Sequence, residues 1–153
     1  MNQNCKILLL GDKESGKTAF CNRIKNGTFN EAYKPTIGID QYQIIHKYQN
    51  NKNSIFRMQF WDMGTQEKVS LMVKTQIKKV HGCLIFLNID SDVVQRFIQW
   101  KQLIEQEDPK MVVILVLCKS DQAHFIDELT KLKPLLNENE VDYFVCSTKI
   151  GQG

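Results

Sequence analysis

The segment GDKESGKT, Gly11 to Thr18, follows the apolar run KILLL (6–10) and precedes AFCNRIKNG. Few octapeptides constrain a fold so tightly. The pattern G-x-x-x-x-G-K-[ST] between a buried strand and an amphipathic helix demands a strand, a tight loop and a helix in that order. The glycines let the backbone curl so that the N–H groups of Glu14, Ser15, Gly16, Lys17 and Thr18 point inward, and the helix N-terminus adds partial positive charge. A loop of this kind either cradles phosphate or is only a turn, and the rest of the chain has to choose. If it holds phosphate, Lys17 reaches the outer phosphates and the Thr18 hydroxyl ligates magnesium.

Beyond that loop, strand and helix patterns alternate. HGCLIFLNID (81–90) and MVVILVLCKSD (111–121) are continuous apolar runs with polar ends, as strands buried on both faces require. GIDQYQIIHKYQ (38–49) and SIFRMQFWD (54–62), rich in β-branched and aromatic residues and joined by the polar NNKN, predict a hairpin, the one antiparallel pair. DYFVCS (142–147) makes a sixth strand. Apolar residues recur at helical spacing in TAFCNRIKNG (18–27), which stops at Gly27, and in the segments 68–80, 92–106 and 125–138. This alternation predicts an α/β fold, a mostly parallel six-stranded sheet with one antiparallel hairpin and helices on both faces. Ligands of such sheets lie at the carboxyl ends of the strands.

The chain of 153 residues is long enough for one domain with a real core, spanning 1–153. A net charge of +3 is too weak to argue for nucleic acid, and the lysines of KTQIKKV (74–80) read as a solvated helix face. Five cysteines, odd in number and with no CxxC pair, suggest buried thiols of a reducing compartment. With no signal peptide, and with apolar runs far below the roughly 18 residues of a membrane span, the expectation is a cytoplasmic protein with no membrane anchor of its own. Peripheral membrane attachment or a place in a larger assembly would come from elsewhere.

A second motif, WDMGTQE (61–67), ends a hydrophobic strand in Asp62, and a carboxylate there, beside a phosphate loop, can hold magnesium. With YKPTIGID (33–40), CKSD (118–121) and STK (147–149), all in order and each at a predicted strand end or loop, the chain resembles a Ras-superfamily small GTPase, most of all the Rab branch. The resemblance implies a P-loop NTPase fold and a guanine nucleotide, GTP or GDP, with Mg2+. Thr36 then coordinates the metal with Thr18 and Asp62 and senses the γ-phosphate, Gly64 and Thr65 approach that phosphate, and Gln66 orients the attacking water. Phe29 packs on the guanine, although ordinary core packing explains it equally well. Cys118 stands where the family contacts the base, Asp121 reads its N–H edge, Lys119 and Lys149 lie along its faces, and the backbone of Ser147 and Thr148 meets its carbonyl oxygen. An acid that accepts two hydrogen bonds from guanine is left unpaired by adenine, and that selects the base.

Several positions depart from the family pattern. Cys118 replaces an asparagine, and a thiol donates weakly, so weaker base affinity is expected. Thr65 replaces a glycine and resists the unusual φ/ψ of a closing switch. Lys13 occupies a phosphate-loop position that is usually small, so hydrolysis of GTP to GDP and phosphate should be slow. The hairpin is longer than the family's, which costs little in a surface turn. The chain stops at Gly151-Gln152-Gly153, without the final helix the family uses to cover the sheet and without a prenylation signal. A shortened chain is the expected reason; otherwise an assembly partner covers that face.

The resulting expectation is a slow-hydrolysing switch in vesicle or ciliary traffic that shows effectors and regulators two arrangements of residues 33–40 and 62–75. The alternative is a scaffold subunit of this fold with permanently bound nucleotide or none.

Overall fold

Six strands form one sheet in the order β2-β3-β1-β4-β5-β6 in a computed structural model that describes residues 2–32, 34–48, 54–64 and 71–153. The strands are β1 (Asn2–Gly11), β2 (Ile39–Tyr48), β3 (Ser54–Met63), β4 (Gly82–Leu87), β5 (Val112–Leu117) and β6 (Tyr143–Val145), and the helices α1 (Lys17–Asn26), α2 (Leu71–Ile77), α3 (Val93–Glu107) and α4 (Phe125–Glu138). Only β2 and β3 run antiparallel; every other strand pair is parallel. The α/β architecture expected from the alternating pattern is therefore the one observed.

Alternation within the central strands divides the core. Leu8, Leu10, Ile85, Leu87, Leu115 and Leu117 face α2, α3 and α4, while Leu9, Phe86 and Val116 face α1. The periodicity of α3 explains its packing: Val93, Val94, Phe97, Trp100 and Ile104 recur at three and four and are buried. Phe86 and Phe97 are among the largest fully buried side chains, each contributing about 1.5–3 kcal/mol by leaving water. On the α1 side the cover is thinner. Ile7, Ile44, Met58 and Leu84 are only half-buried, and Phe144 on β6 is exposed.

Several boundaries differ from the sequence expectation, and three of them show why. The first strand begins at Asn2 rather than Lys6, because β3 runs beside it from Asn2↔Ile55 to Leu9↔Asp62 and pairs its polar start. Of the helix expected over 68–80, Leu71–Ile77 is helical, followed by a turn in which Lys79 N–H bonds the Gln76 carbonyl at 2.9 Å; residues 65–70 lie outside the described residues. The last strand stops at Val145 because Ser147 N–H turns to the Gln152 carbonyl at 2.8 Å. The hairpin tip, 49–53, also lies outside the described residues.

Gly11 brings the loops over the carboxyl edge of the sheet. Its φ is 126°, and a Cβ there would overlap the Phe86 carbonyl of β4, the group to which Asp12 N–H donates at 2.8 Å. The ends of β1, β3, β4, β5 and β6 thus open on one rim.

Candidate functional site

That rim holds a cavity of about 460 Å³ lined by Glu14, Ser15, Gly16, Lys17, Thr18, Phe29, Thr36, Gly64, Lys119, Asp121, Thr148 and Lys149, with Ala19, Asn30, Glu31, Met63 and Gln122. Its size falls within the usual range for small-molecule sites. The first twelve were expected from the sequence, although they come from six separate segments. Thr65 and Gln66 lie outside the described residues.

At one end the loop after β1 curls around Lys17. Glu14 takes φ 58° and Gly16 φ 101°, so two left-handed residues turn the loop. A left-handed glutamate costs about 1–2 kcal/mol, a strain that a functional loop can retain. The Lys17 ammonium is buried and donates to the carbonyls of Asp12 (2.6 Å) and Gly11 (3.4 Å) and to Ser15 Oγ (3.5 Å). Ser15 Oγ in turn donates to the Asp12 carbonyl at 2.8 Å, which holds the loop closed on itself.

Beside Lys17 three oxygens from distant segments converge. Thr18 Oγ1 donates to Asp62 Oδ2 at 2.5 Å, Thr36 Oγ1 lies 3.0 Å from Thr18 Oγ1, and Thr36 donates to Asp62 Oδ2 at 3.4 Å. Asp62 is fully buried, and its Oδ1 has no hydrogen-bond partner among the described residues. Two hydroxyls and a carboxylate with an unpartnered buried oxygen form a donor set for a small, hard cation, so these residues fit magnesium. Gly64 belongs to the same corner. A Cβ on it would overlap the Thr36 carbonyl, and its N–H donates to the Gly38 carbonyl at 2.9 Å.

Burial raises the Asp62 carboxyl above its ordinary 3.8, against the opposing pull of Thr18 and Lys17. The unfolded chain releases this proton at the ordinary value and the folded chain only at a higher pH. Between the two, the folded state binds more protons, so this group makes stability fall as pH rises. Asp62→Asn removes that dependence. In magnesium-free buffer its denaturation midpoint should gain on the wild type more at pH 7 than at pH 4. Magnesium, which favours the ionised carboxylate, should shrink the difference.

The opposite end carries the groups suited to a base. Ser147 Oγ donates to Asp121 Oδ1 at 2.5 Å and fixes the carboxylate in the cavity wall. Lys119, at φ 67°, donates through Nζ to Asn88 Oδ1 at 3.4 Å. Lys13, Cys118 and Ser147 are not on the cavity wall. Lys13 is largely exposed, near Glu14 at 4.0 Å, and Ser147 stands behind Asp121. Cys118 is buried, its sulfur close to where a Cβ on Gly16 would lie.

Two supports escaped the sequence reading. Arg23 on α1 donates from Nε to the Thr148 carbonyl at 2.7 Å and from Nη2 to the Lys149 carbonyl at 2.6 Å, pinning the loop after β6. Arg96 on α3 reaches Asp12 Oδ2 at 3.3 Å, Asp90 and the Asn88 carbonyl, while Asn88 Nδ2 donates to the Lys13 carbonyl at 3.3 Å. Their positions in amphipathic helices gave a spacing signal but no direction.

Comparison with known proteins finds relatives of one superfamily. Residues 6–121 match the family described as "Roc: Ras of Complex, Roc, domain of DAPkinase". Ras-related protein YPT3 of Nicotiana plumbaginifolia is 30% identical over 142 residues, covering 92% of this chain and 64% of the relative. GTP-binding protein rho3 of Schizosaccharomyces pombe is 29% identical, covering 97% and 76%, and Ras-related protein Rab-34 of Sus scrofa is 27% identical, covering 96% and 58%. The chain thus spans just under two thirds of the YPT3 relative. Among the described residues no helix is long and apolar enough to cross a membrane.

Proposed function

This chain belongs to the Ras superfamily of GTPase domains as a divergent, Rab-like member, and from that premise we propose that it is a switch that binds GTP and GDP with magnesium and works in intracellular traffic. One observation carries the reading: a single cavity has a serine-braced acid, Asp121, at one end and a buried lysine beside the Thr18, Thr36 and Asp62 oxygens at the other. A guanine N–H edge at Asp121 and a phosphate tail at Lys17 satisfy both ends at once.

Bound magnesium would neutralise charge on the outer phosphates, held by Thr18, Thr36 and Asp62. The chain's own part is to bind and to change shape. N–H groups of residues 14–18 hold the phosphates, and Phe29, Lys119, Thr148 and Lys149 enclose the base. Thr36 and Gly64, already in contact through the Thr36 carbonyl, report whether the γ-phosphate is present. Effectors and regulators meet residues 33–40 and 62–75, where Ile37 and Leu71 are 91% and 82% exposed. Gln66 orients water for hydrolysis, which Lys13 and Thr65 slow.

A second reading rests on the half-buried face of Ile7, Ile44, Met58 and Leu84 and the exposed Phe144: a scaffold subunit whose partner covers that face and whose nucleotide stays bound. One experiment separates the two. The purified protein is denatured, the released nucleotide identified, and exchange for labelled GTP followed. Exchangeable GDP or GTP, with a partner that binds only one form, supports the switch. GTP that neither exchanges nor turns over supports the scaffold, and ATP in the site would remove both.

A further inference from the structure

We propose that Cys118 and Cys146 are a redox pair: a hydroperoxide converts them into a disulfide that clasps the two base-contacting loops together, and a thiol reverses it. Cys118 follows β5 and Cys146 follows β6, each one step past the parallel pair Leu117↔Val145. Cys146 N–H donates to the Leu117 carbonyl at 3.0 Å, so the strands remain paired up to the cysteines. Neighbouring strands lie about 4.7–4.9 Å apart, inside the roughly 4.4–6.8 Å between Cα atoms that a disulfide spans. The two sulfurs are 3.3 Å apart, and both thiols are free. Torsion of the side chains closes the remaining gap.

The pair is asymmetric. The hydrogen bond between the two sulfurs, in which either can donate, holds the Cys118 proton on and eases the loss of the proton from Cys146. Cys146 is then the attacking sulfur. Its thiolate displaces one oxygen of the hydroperoxide as water, taking a proton, and becomes a sulfenic acid. The Cys118 sulfur attacks the sulfenic sulfur, the S–O bond breaks, the S–S bond forms, and the second oxygen leaves as water. Two thiols lose two electrons and one hydrogen peroxide gains them. With the thiols only 4% and 5% exposed, access favours an oxidant little larger than water.

The bond would sit where it can alter ligand release. Lys119 and Asp121 follow Cys118, and Ser147 to Lys149 follow Cys146, so the disulfide links the two walls of the base site. Those walls are joined in the reduced protein by hydrogen bonds from Ser120 N–H to the Cys146 carbonyl (3.2 Å) and from Ser147 to Asp121. Cys118 Sγ also lies 3.1 Å from the place of a Cβ on Gly16, so the phosphate loop rests against the same sulfur. A covalent tie resists the separation of walls that a leaving base requires.

The effect on release rests on the guanine-nucleotide reading; the bond itself does not. The full chain, reduced and then treated with hydrogen peroxide, should lose the mass of two hydrogens, and a non-reducing peptide map should join the Cys118 and Cys146 peptides. Release of a fluorescent GDP should slow by about fivefold or more, with dithiothreitol restoring it. Cys118→Ser and Cys146→Ser, each compared with itself before and after peroxide, should show neither change. No joined peptide at a peroxide dose that oxidises Cys5 overturns the proposal, as does a joined peptide with an unchanged release rate. Should the reduced protein take up no GDP, the functional reading fails instead. The clasp is then read from amide exchange over 118–121 and 146–149, slowed if it forms and unchanged if the proposal is wrong.

Discussion

Asp121→Ala should weaken GTP binding roughly a thousandfold while leaving ATP binding within about threefold of the wild type, because two hydrogen bonds to a charged acceptor are worth about 1.5–3 kcal/mol each. The acid lines the cavity and is held at 2.5 Å by Ser147 Oγ, so its carboxylate needs no reorganisation to accept from a guanine N–H edge. Adenine presents a lone pair where guanine presents N–H, and a carboxylate covered by it loses water without gaining a partner. A site built around such an acceptor discriminates by about 10⁴–10⁵, and removal of the acceptor should collapse that preference. Titration of both nucleotides by calorimetry measures the change. Ser147→Ala is the control: it keeps the acid and frees its rotation, so a loss of about tenfold is expected from one missing hydrogen bond. GTP affinity in Asp121→Ala within tenfold of wild type would mean that the base is read elsewhere.

The residues that bear this prediction were legible in the sequence because they are local. CKSD and STK follow apolar runs, and the runs became β5 and β6. α4, read from spacing alone over 125–138, occupies that range. What escaped was whatever depends on how elements are turned against one another. The polar start NQNC carries no strand signal of its own and is a strand because β3 pairs with it. Arg23 and Arg96 read as ordinary helix-surface cations. Only the rotation of α1 and α3 against the sheet sends one to the carbonyls of Thr148 and Lys149 and the other to Asp12. Cys118 looked like a weak substitute for a base-contacting side chain. The register of β5 with β6 puts its sulfur against Cys146. Positive φ at Glu14 and Lys119 was equally hidden, since neither residue type advertises a left-handed conformation.

Lys17→Ala should cost GTP and GDP alike about a thousandfold or more in affinity, whatever the base, because an ammonium about 4 Å from a phosphate contributes ~4 kcal/mol at an effective dielectric near 20. The lysine is 7% exposed and holds the Asp12 carbonyl at 2.6 Å, so removal both deletes the charge and loosens the loop that aims the N–H groups. Two mechanisms are then mixed, and Lys17→Arg separates them. Arginine restores the charge, but its planar fork is larger than the ammonium and does not fit a buried niche shaped by Gly11, Asp12 and Ser15. If the charge alone matters, Lys17→Arg recovers most of the affinity. If the position matters, as the three short-range donor contacts argue, it stays at least tenfold weak. Salt gives an independent check, because screening weakens a contact made by charge more than one made by neutral N–H groups. Binding by wild type should therefore fall more steeply with ionic strength than binding by Lys17→Ala. Equal slopes, or alanine affinity within tenfold of wild type, would place the phosphates away from Lys17 and return the loop to the status of a turn.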